Sequence, residues 1–268
     1  ILSESLYRKS ITGKKSATIF ERETADITLG PSISKKNINT SVNPKMPYLS
    51  FLAINYDIPV INEVMTWFES CIIRSYANPM IEHQIMLAKD IPYKKQFIRA
   101  LNDMDIDITD YRYDEDSHQL FMKRTLGSTE YELPFSDESD GTKKLIAALP
   151  VILLALREGR MVIIDELDAK LHPLLTRYII NLFHNPETNI GNGQLIYSTH
   201  DTVNLNKDTF RRDEIWFAEK NKDGISTIYS LSDYKINDTK VRNDATYNKD
   251  YLSGRYGAIP VLEDFDIV

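Results

Sequence analysis

At 268 residues and a net charge of −7, the chain can fill one large domain or two small ones, and its bulk charge repels phosphate backbones. Nucleic acid is left as a possible partner only through a local basic patch. One cysteine, Cys71, excludes an internal disulfide and a cysteine-rich metal site and suits a reducing cytoplasmic setting. The longest strongly apolar run, Leu145 to Leu156, is too short to span a bilayer and contains Pro150, so no membrane role is expected. The chain starts Ile1-Leu2-Ser3 without methionine, as expected of a fragment.

Residues 1 to about 30 alternate polar and apolar side chains, and Ala17-Thr18-Ile19-Phe20 predicts a strand. This part is expected to be the remnant of a sheet whose earlier strands are missing. From Pro31 to Pro47, Ser, Lys and Asn dominate and a loop is predicted. Residues 48 to about 110 are expected to be helical: Val60, Ile61, Val64, Trp67, Phe68 and Ile72 recur at helical spacing, and Phe97, Ile98 and Leu101 form a second stripe. Core packing is the expected role of both. Tyr111-Arg112-Tyr113 and Gln119-Leu120-Phe121-Met122 then predict strands leading back to a sheet.

From Ser136 the pattern is α/β. A helix is predicted over about Gly141 to Arg157 with a kink at Pro150, then a strand at Met161 to Ile164 and a helix opening at Pro173. Gln194 to Ser198 predicts a second buried strand, and this order implies a parallel crossover. Glu214 to Ala218 and Ser226 to Tyr229 flank the turn Asn221-Lys222-Asp223-Gly224 and predict a hairpin.

Chemistry concentrates at the end of the first of these strands. Met161-Val162-Ile163-Ile164-Asp165-Glu166 puts two carboxylates at the C-terminal edge of a parallel sheet, where ligands of such sheets bind. An Asp there suits Mg²⁺ held through water, and an adjacent Glu suits polarising an attacking water. A strand ending in a polar turn explains the same four residues, Asp165 to Asp168, without function. Ser198-Thr199-His200-Asp201 lies one strand later, so the crossover brings His200 to the same sheet edge, where it suits a γ-phosphate or the attacking water. Upstream, Ser139 and the helix start at Gly141 and Thr142 fit both an anion site and an ordinary capped helix, with Lys143 or Lys144 available to add charge.

In these residues the chain resembles ABC-type ATPases of the RecF, SMC and OLD kind, most of all the bacterial AAA/ABC ATPases of abortive infection and phage defence. Ser139-Asp140-Gly141-Thr142-Lys143 is similar to that group's signature, and Met161 to Glu166 to its Walker B strand. Leu167 to Pro173 is similar to its D-loop, Ser198 to Asp201 to its switch-histidine loop, and Tyr251 to Pro260 to its tail. The resemblance implies an α/β fold: a partial ABC-type ATPase head with a parallel-sheet core, a helical insertion and a C-terminal β-hairpin. On this resemblance, residues 1–30 are the remnant of a first lobe, 31–110 a loop and helical insertion, and 111–268 the lobe bearing the motifs.

The family's Gly-x-x-x-x-Gly-Lys-Ser/Thr phosphate loop occurs nowhere, and Ile11-Thr12-Gly13-Lys14-Lys15-Ser16 lacks its upstream glycine. The chain alone is therefore expected to be inactive, with the Walker A lobe outside it. The resemblance implies ATP and Mg²⁺ as cofactors, sandwiched by two protomers packed head to tail or in a higher oligomer. Asp165 would organise the metal, Glu166 would be the general base and His200 would sense the γ-phosphate. Ser139, Gly141 and Thr142 would reach the partner's nucleotide, and Asp168 would carry communication across the dimer. Three uses remain open: an ATPase that controls a toxin or nuclease effector in anti-phage defence, an ATP-gated scaffold with slow hydrolysis, and a RecF/SMC-like DNA clamp.

Overall fold

In the first 30 residues, alternating side chains form strands β1 (Ser3–Lys9), β2 (Ser16–Glu23) and β3 (Asp26–Leu29), an antiparallel meander. This computed structural model describes residues 1–33, 37–76, 91, 93–236, 239–240 and 246–260. The chain divides into two compact units, Ile1–Cys71 and Ile72–Val268. In the first, helices α1 (Tyr48–Asn55) and α2 (Pro59–Ser70) follow the meander. Its core gathers Ile19, Phe20, Leu29, Tyr48, Leu52 and Ile61. The α1 amides of Tyr48 and Leu49 donate to the Glu4 carboxylate at 2.6 and 2.9 Å, so a strand residue far away in sequence supplies the cap that Pro47 cannot.

The helical reading of residues 48 to 110 is corrected at Ile72. Helix α2 stops at an extended Cys71, and Ile72–Ser75 is a strand, β4. The β-branched pair Ile72-Ile73 favours the pleated sheet, and pairing along Val162–Asp165 supplies the backbone partners that helix continuation would have supplied. Residues 77–90 lie outside the described residues. Helix α3 (Lys94–Asp103) then buries Phe97, Ala100 and Leu101, which bears out the second stripe.

Strands β5 (Asp110–Asp114) and β6 (Gln119–Leu126) form a separate antiparallel sheet with β7 (Thr129–Pro134), a strand that the sequence reading lacked. Helix α4 (Asp140–Glu158) follows, buried at every position from Lys144 to Ile152, as a helix apolar on all sides must be. It runs on through Pro150 and ends at Gly159, whose φ of 70° supplies the left-handed stop. Strand β8 (Met161–Asp165), helix α5 (Pro173–His184) and strand β9 (Gln194–Tyr197) complete the parallel crossover, in the strand order β4-β8-β9.

The register sets the edge that matters. Ile73, Ile163 and Ile196 stand abreast, and Ser75 lies beside Asp165 at the strand ends. Side chains two apart share a face, so Asp165 projects on the side of this isoleucine row. The opposite face, with Val162 and Ile164 fully buried, is core. The isoleucine row is not: Ile73 is 67% and Ile196 51% exposed.

Strands β10 (Trp216–Lys220) and β11 (Ser226–Ser230) form the expected hairpin. Phe217 packs with Tyr229, Tyr251 and Tyr256 against helix α6 (Tyr247–Leu252) and the chain after it. Tyr229 donates its hydroxyl to the Tyr256 carbonyl at 2.6 Å, and burial, reinforced by Glu219, pushes its pKa up to about 12. A tyrosine held above its unfolded value, about 10, stabilises the fold fully below that pH and loses this contribution as pH climbs towards about 12. We therefore expect the melting temperature to fall between pH 9.5 and pH 11, and to fall less steeply in Tyr229→Phe. Equal slopes in the two proteins would show that Tyr229 does not carry the effect.

Candidate functional site

Strand β8 ends with Asp165 and turns sharply. Glu166 takes a φ of 49°, unusual for a residue with a side chain. The turn is fixed from the neighbouring strand, because Ser198, just past β9, receives the Glu166 amide at 2.8 Å on its hydroxyl oxygen. That hydroxyl donates to Asp165 Oδ1 at 2.6 Å. The backbone closes the same junction, with Leu167 N donating to Ser198 O and Ser198 N to Ile164 O. Asp165 and Glu166 are both exposed, so one hydroxyl aims the first carboxylate and fixes the peptide that carries the second. The sequence marked Ser198 as the end of a strand and the start of the histidine loop, and gave it no bond to the carboxylates.

His200 lies two residues beyond Ser198 in an irregular, exposed stretch, which places its loop at the edge holding Asp165. Asp201 and Asn204 moor that loop. Asn204, 3% exposed, donates to Asp201 Oδ2 at 2.6 Å and to the Pro173 carbonyl at 3.0 Å, and accepts from Arg177 Nε at 2.8 Å. These ties fix the histidine loop to the first turns of α5. That helix starts at Pro173 as expected, with His172 Nδ1 accepting from the Leu174 amide at 3.2 Å.

The helix start upstream of β8 packs onto the loop after it. Ser139 caps α4, its Oγ accepting from the Thr142 amide at 3.2 Å and lying 2.8 Å from Thr142 Oγ1. Gly141 lies so close to the loop that a Cβ there would meet the Lys170 carbonyl oxygen at 2.7 Å, so the glycine is set by close approach. Lys170 also pairs with Asp140 at 2.9 Å and holds that carboxyl below its usual range. Lys144, suggested by the sequence as added charge for an anion, is 3% exposed and points inward to carbonyls of the same loop. Burial pushes its ammonium below the usual lysine range, opposed by Asp168 and Glu166. Asp168 Oδ1 is buried and has no hydrogen-bond partner among the described residues. The structure thus brings Ser139, Gly141, Thr142 and Asp168 to one loop contact, and Asp165, Glu166 and the His200 loop to the adjoining strand ends.

A family profile described as "AAA domain, putative AbiEii toxin, Type IV TA system" matches residues 4–206, most of the chain. The chain belongs to this AAA family. No curated protein matches it. Among solved structures, a chain from work on ATP-driven dimerization and DNA-stimulated activation of SMC ATPases aligns at 17% identity and a TM-score of 0.35. The alignment covers 52% of this chain and 89% of that one.

AAA membership makes nucleotide the ligand against which to test these residues. Mg²⁺ keeps several waters and takes one or two carboxylates beside phosphate oxygens, so a single accessible carboxylate, Asp165, fits it. Among the described residues no cluster of three or more His, Cys, Asp and Glu side chains could hold a metal alone. Ser10 to Lys15 forms the connection between β1 and β2, with Gly13 N donating to Ser10 O at 3.0 Å, so the Gly13-Lys14 pair lies in a hairpin turn. No described helix is long and apolar enough to cross a membrane.

Proposed function

We propose that this AAA chain is the carboxylate-bearing part of an ABC-type head that hydrolyses ATP between two protomers packed head to tail. The observation that carries the proposal is the Asp165–Ser198–Glu166 junction. One hydroxyl orients the carboxylate that would hold the metal and fixes the peptide that carries the next, exposed carboxylate. Asp165 would hold the Mg²⁺ waters, Glu166 would take the proton of the attacking water, and His200 would meet the γ-phosphate. Mg²⁺, when bound, neutralises charge on the β- and γ-phosphates. Ser139, Gly141 and Thr142 would reach the partner's nucleotide from the start of α4, where a helix terminus favours anions. Asp168 would lie at the dimer seam.

The exposed isoleucine row supports a phosphate-loop lobe outside residues 1–268. An apolar sheet face needs a cover, and Asp165 stands on the same side of the sheet, two residues along the strand from Ile163. The helix after a Gly-x-x-x-x-Gly-Lys-Ser/Thr loop is the occupant we propose, delivering its phosphate-binding end to the carboxylates. The family description names a toxin of a type IV toxin–antitoxin system, which favours control of a toxin or nuclease effector in anti-phage defence, as in OLD-like ATPases, over a DNA clamp. The net charge of −7 points the same way.

The test is Mg²⁺-dependent ATP turnover by the complete gene product and by Ser139→Arg, with and without co-purifying partners. Turnover is expected in the wild-type protein, with at least a tenfold loss in Ser139→Arg and a melting temperature lower only by the roughly 2–4 °C that losing the α4 cap costs. Wild-type activity in Ser139→Arg would remove Ser139 from the site. Absence of both turnover and ATP binding in the wild-type protein would remove the ATPase reading itself.

A further inference from the structure

Lys144 is a cation held almost wholly out of water, and its contacts all lead to one place. Its Nζ donates to the carbonyl of Glu166 and, at 3.0 Å, to that of Ala169. Two more contacts join the same elements: Gly141 against the Lys170 carbonyl, and the Asp140–Lys170 pair. The start of α4 and the Glu166–Lys170 turn are thus fastened at three points, with Lys144 as the inner one.

We propose that Lys144 is a positioning residue that locks the peptide of Glu166 to the signature turn, so that these two parts of one protomer move as a rigid body. The inference rests on the ATPase reading above. In a head-to-tail dimer Glu166 serves its own protomer's nucleotide, while Ser139, Gly141 and Thr142 serve the partner's. A strut between them couples the two composite sites: closing the signature on one nucleotide moves the general base at the other. Lys144 is suited to this because its ammonium replaces the water that two turn carbonyls would otherwise need. Glu166, at a φ of 49°, has a conformation that depends on such outside ties. An apolar side chain of the same length would fill the space and leave both carbonyls without this donor.

The experiment compares the complete gene product with Lys144→Met and Lys144→Arg. ATP turnover is measured across ATP concentrations, and amide hydrogen exchange over residues 166–171 without nucleotide. For Lys144→Met we expect kcat to fall by about 10- to 100-fold, with KM changed by less than about threefold, because the base is misplaced while nucleotide contacts remain. Any cooperativity of the wild-type protein in ATP should be lost, and exchange over residues 166–171 should quicken. Lys144→Arg, which keeps a donor, should recover most of kcat. Wild-type kcat in Lys144→Met, a KM that rises in step with the fall in kcat, or an Arg variant as slow as the Met variant would each overturn the proposal. If the wild-type protein neither binds nor turns over ATP, the ATPase reading falls on its own. Exchange then decides the strut, and unchanged protection of residues 166–171 in Lys144→Met rejects it.

Discussion

In the complete gene product, Glu166→Gln is expected to lower ATP turnover by about 10²- to 10⁴-fold and to leave ATP binding nearly intact. The amide is nearly isosteric, and the backbone that holds residue 166 is fixed by bonds that do not involve its side chain: Ser198 Oγ takes its amide and Lys144 takes its carbonyl. The substitution therefore removes a proton acceptor and little else. In the proposed head-to-tail mechanism a composite site would close on ATP and hydrolysis would reopen it, so the variant should accumulate an ATP-bound dimer, visible as an earlier-eluting species in Mg²⁺-ATP size-exclusion runs. Asp165→Asn should behave differently, weakening Mg²⁺-dependent binding itself. Turnover within about threefold of wild type in Glu166→Gln would reject Glu166 as the base and move that role to another group at the strand edge.

The parallel unit was legible because its signals are local. Four apolar residues before Asp165, Pro173 at a helix start and Ser139 three residues before the amide it caps each fix an element from neighbours in sequence. Two elements were not legible for the same reason. Strand β4 has only four residues, begins directly after a helix whose stripe runs into it, and is a strand because β8 lies alongside. Strand β7 does alternate, Tyr131 and Leu133 against Glu130 and Glu132, but it is short and mostly exposed, so no buried face set it apart from the neighbouring loop. The candidate site divides likewise. Asp165 and Glu166 announce themselves at a strand end, whereas Ser198 aims Asp165 from 33 residues away, and Asn204 moors the histidine loop from a position with no motif. Lys144 was legible as a charge, but its direction was not. Only the structure shows that it turns inward to the carbonyls of Glu166 and Ala169.

The largest stability loss is expected from Arg124→Met. Arg124 on β6 meets Glu138 through both of its terminal nitrogens, the second at 2.9 Å, with side chains only 14% and 6% exposed. Removing the cation leaves a carboxylate buried without its partner, which costs about 3–5 kcal/mol; about 3 kcal/mol is the better figure here because Arg124 keeps some contact with water. In a chain of this size that corresponds to a fall in melting temperature of roughly 6–12 °C. Glu138 immediately precedes Ser139, so the pair also ties the β5–β7 sheet to the start of α4, and on the proposed function ATP turnover should fall with it. The double variant Arg124→Met/Glu138→Leu separates the two effects. With both charges gone, most of the stability should return, because the penalty comes from the unpaired ion rather than from loss of the pair. Turnover should stay low, because the tie to Ser139 is still missing. Full recovery of turnover in the double variant would show that the antiparallel sheet has no part in placing the signature. A double variant no more stable than Arg124→Met would show that packing around Arg124, and not its charge, was what the fold required.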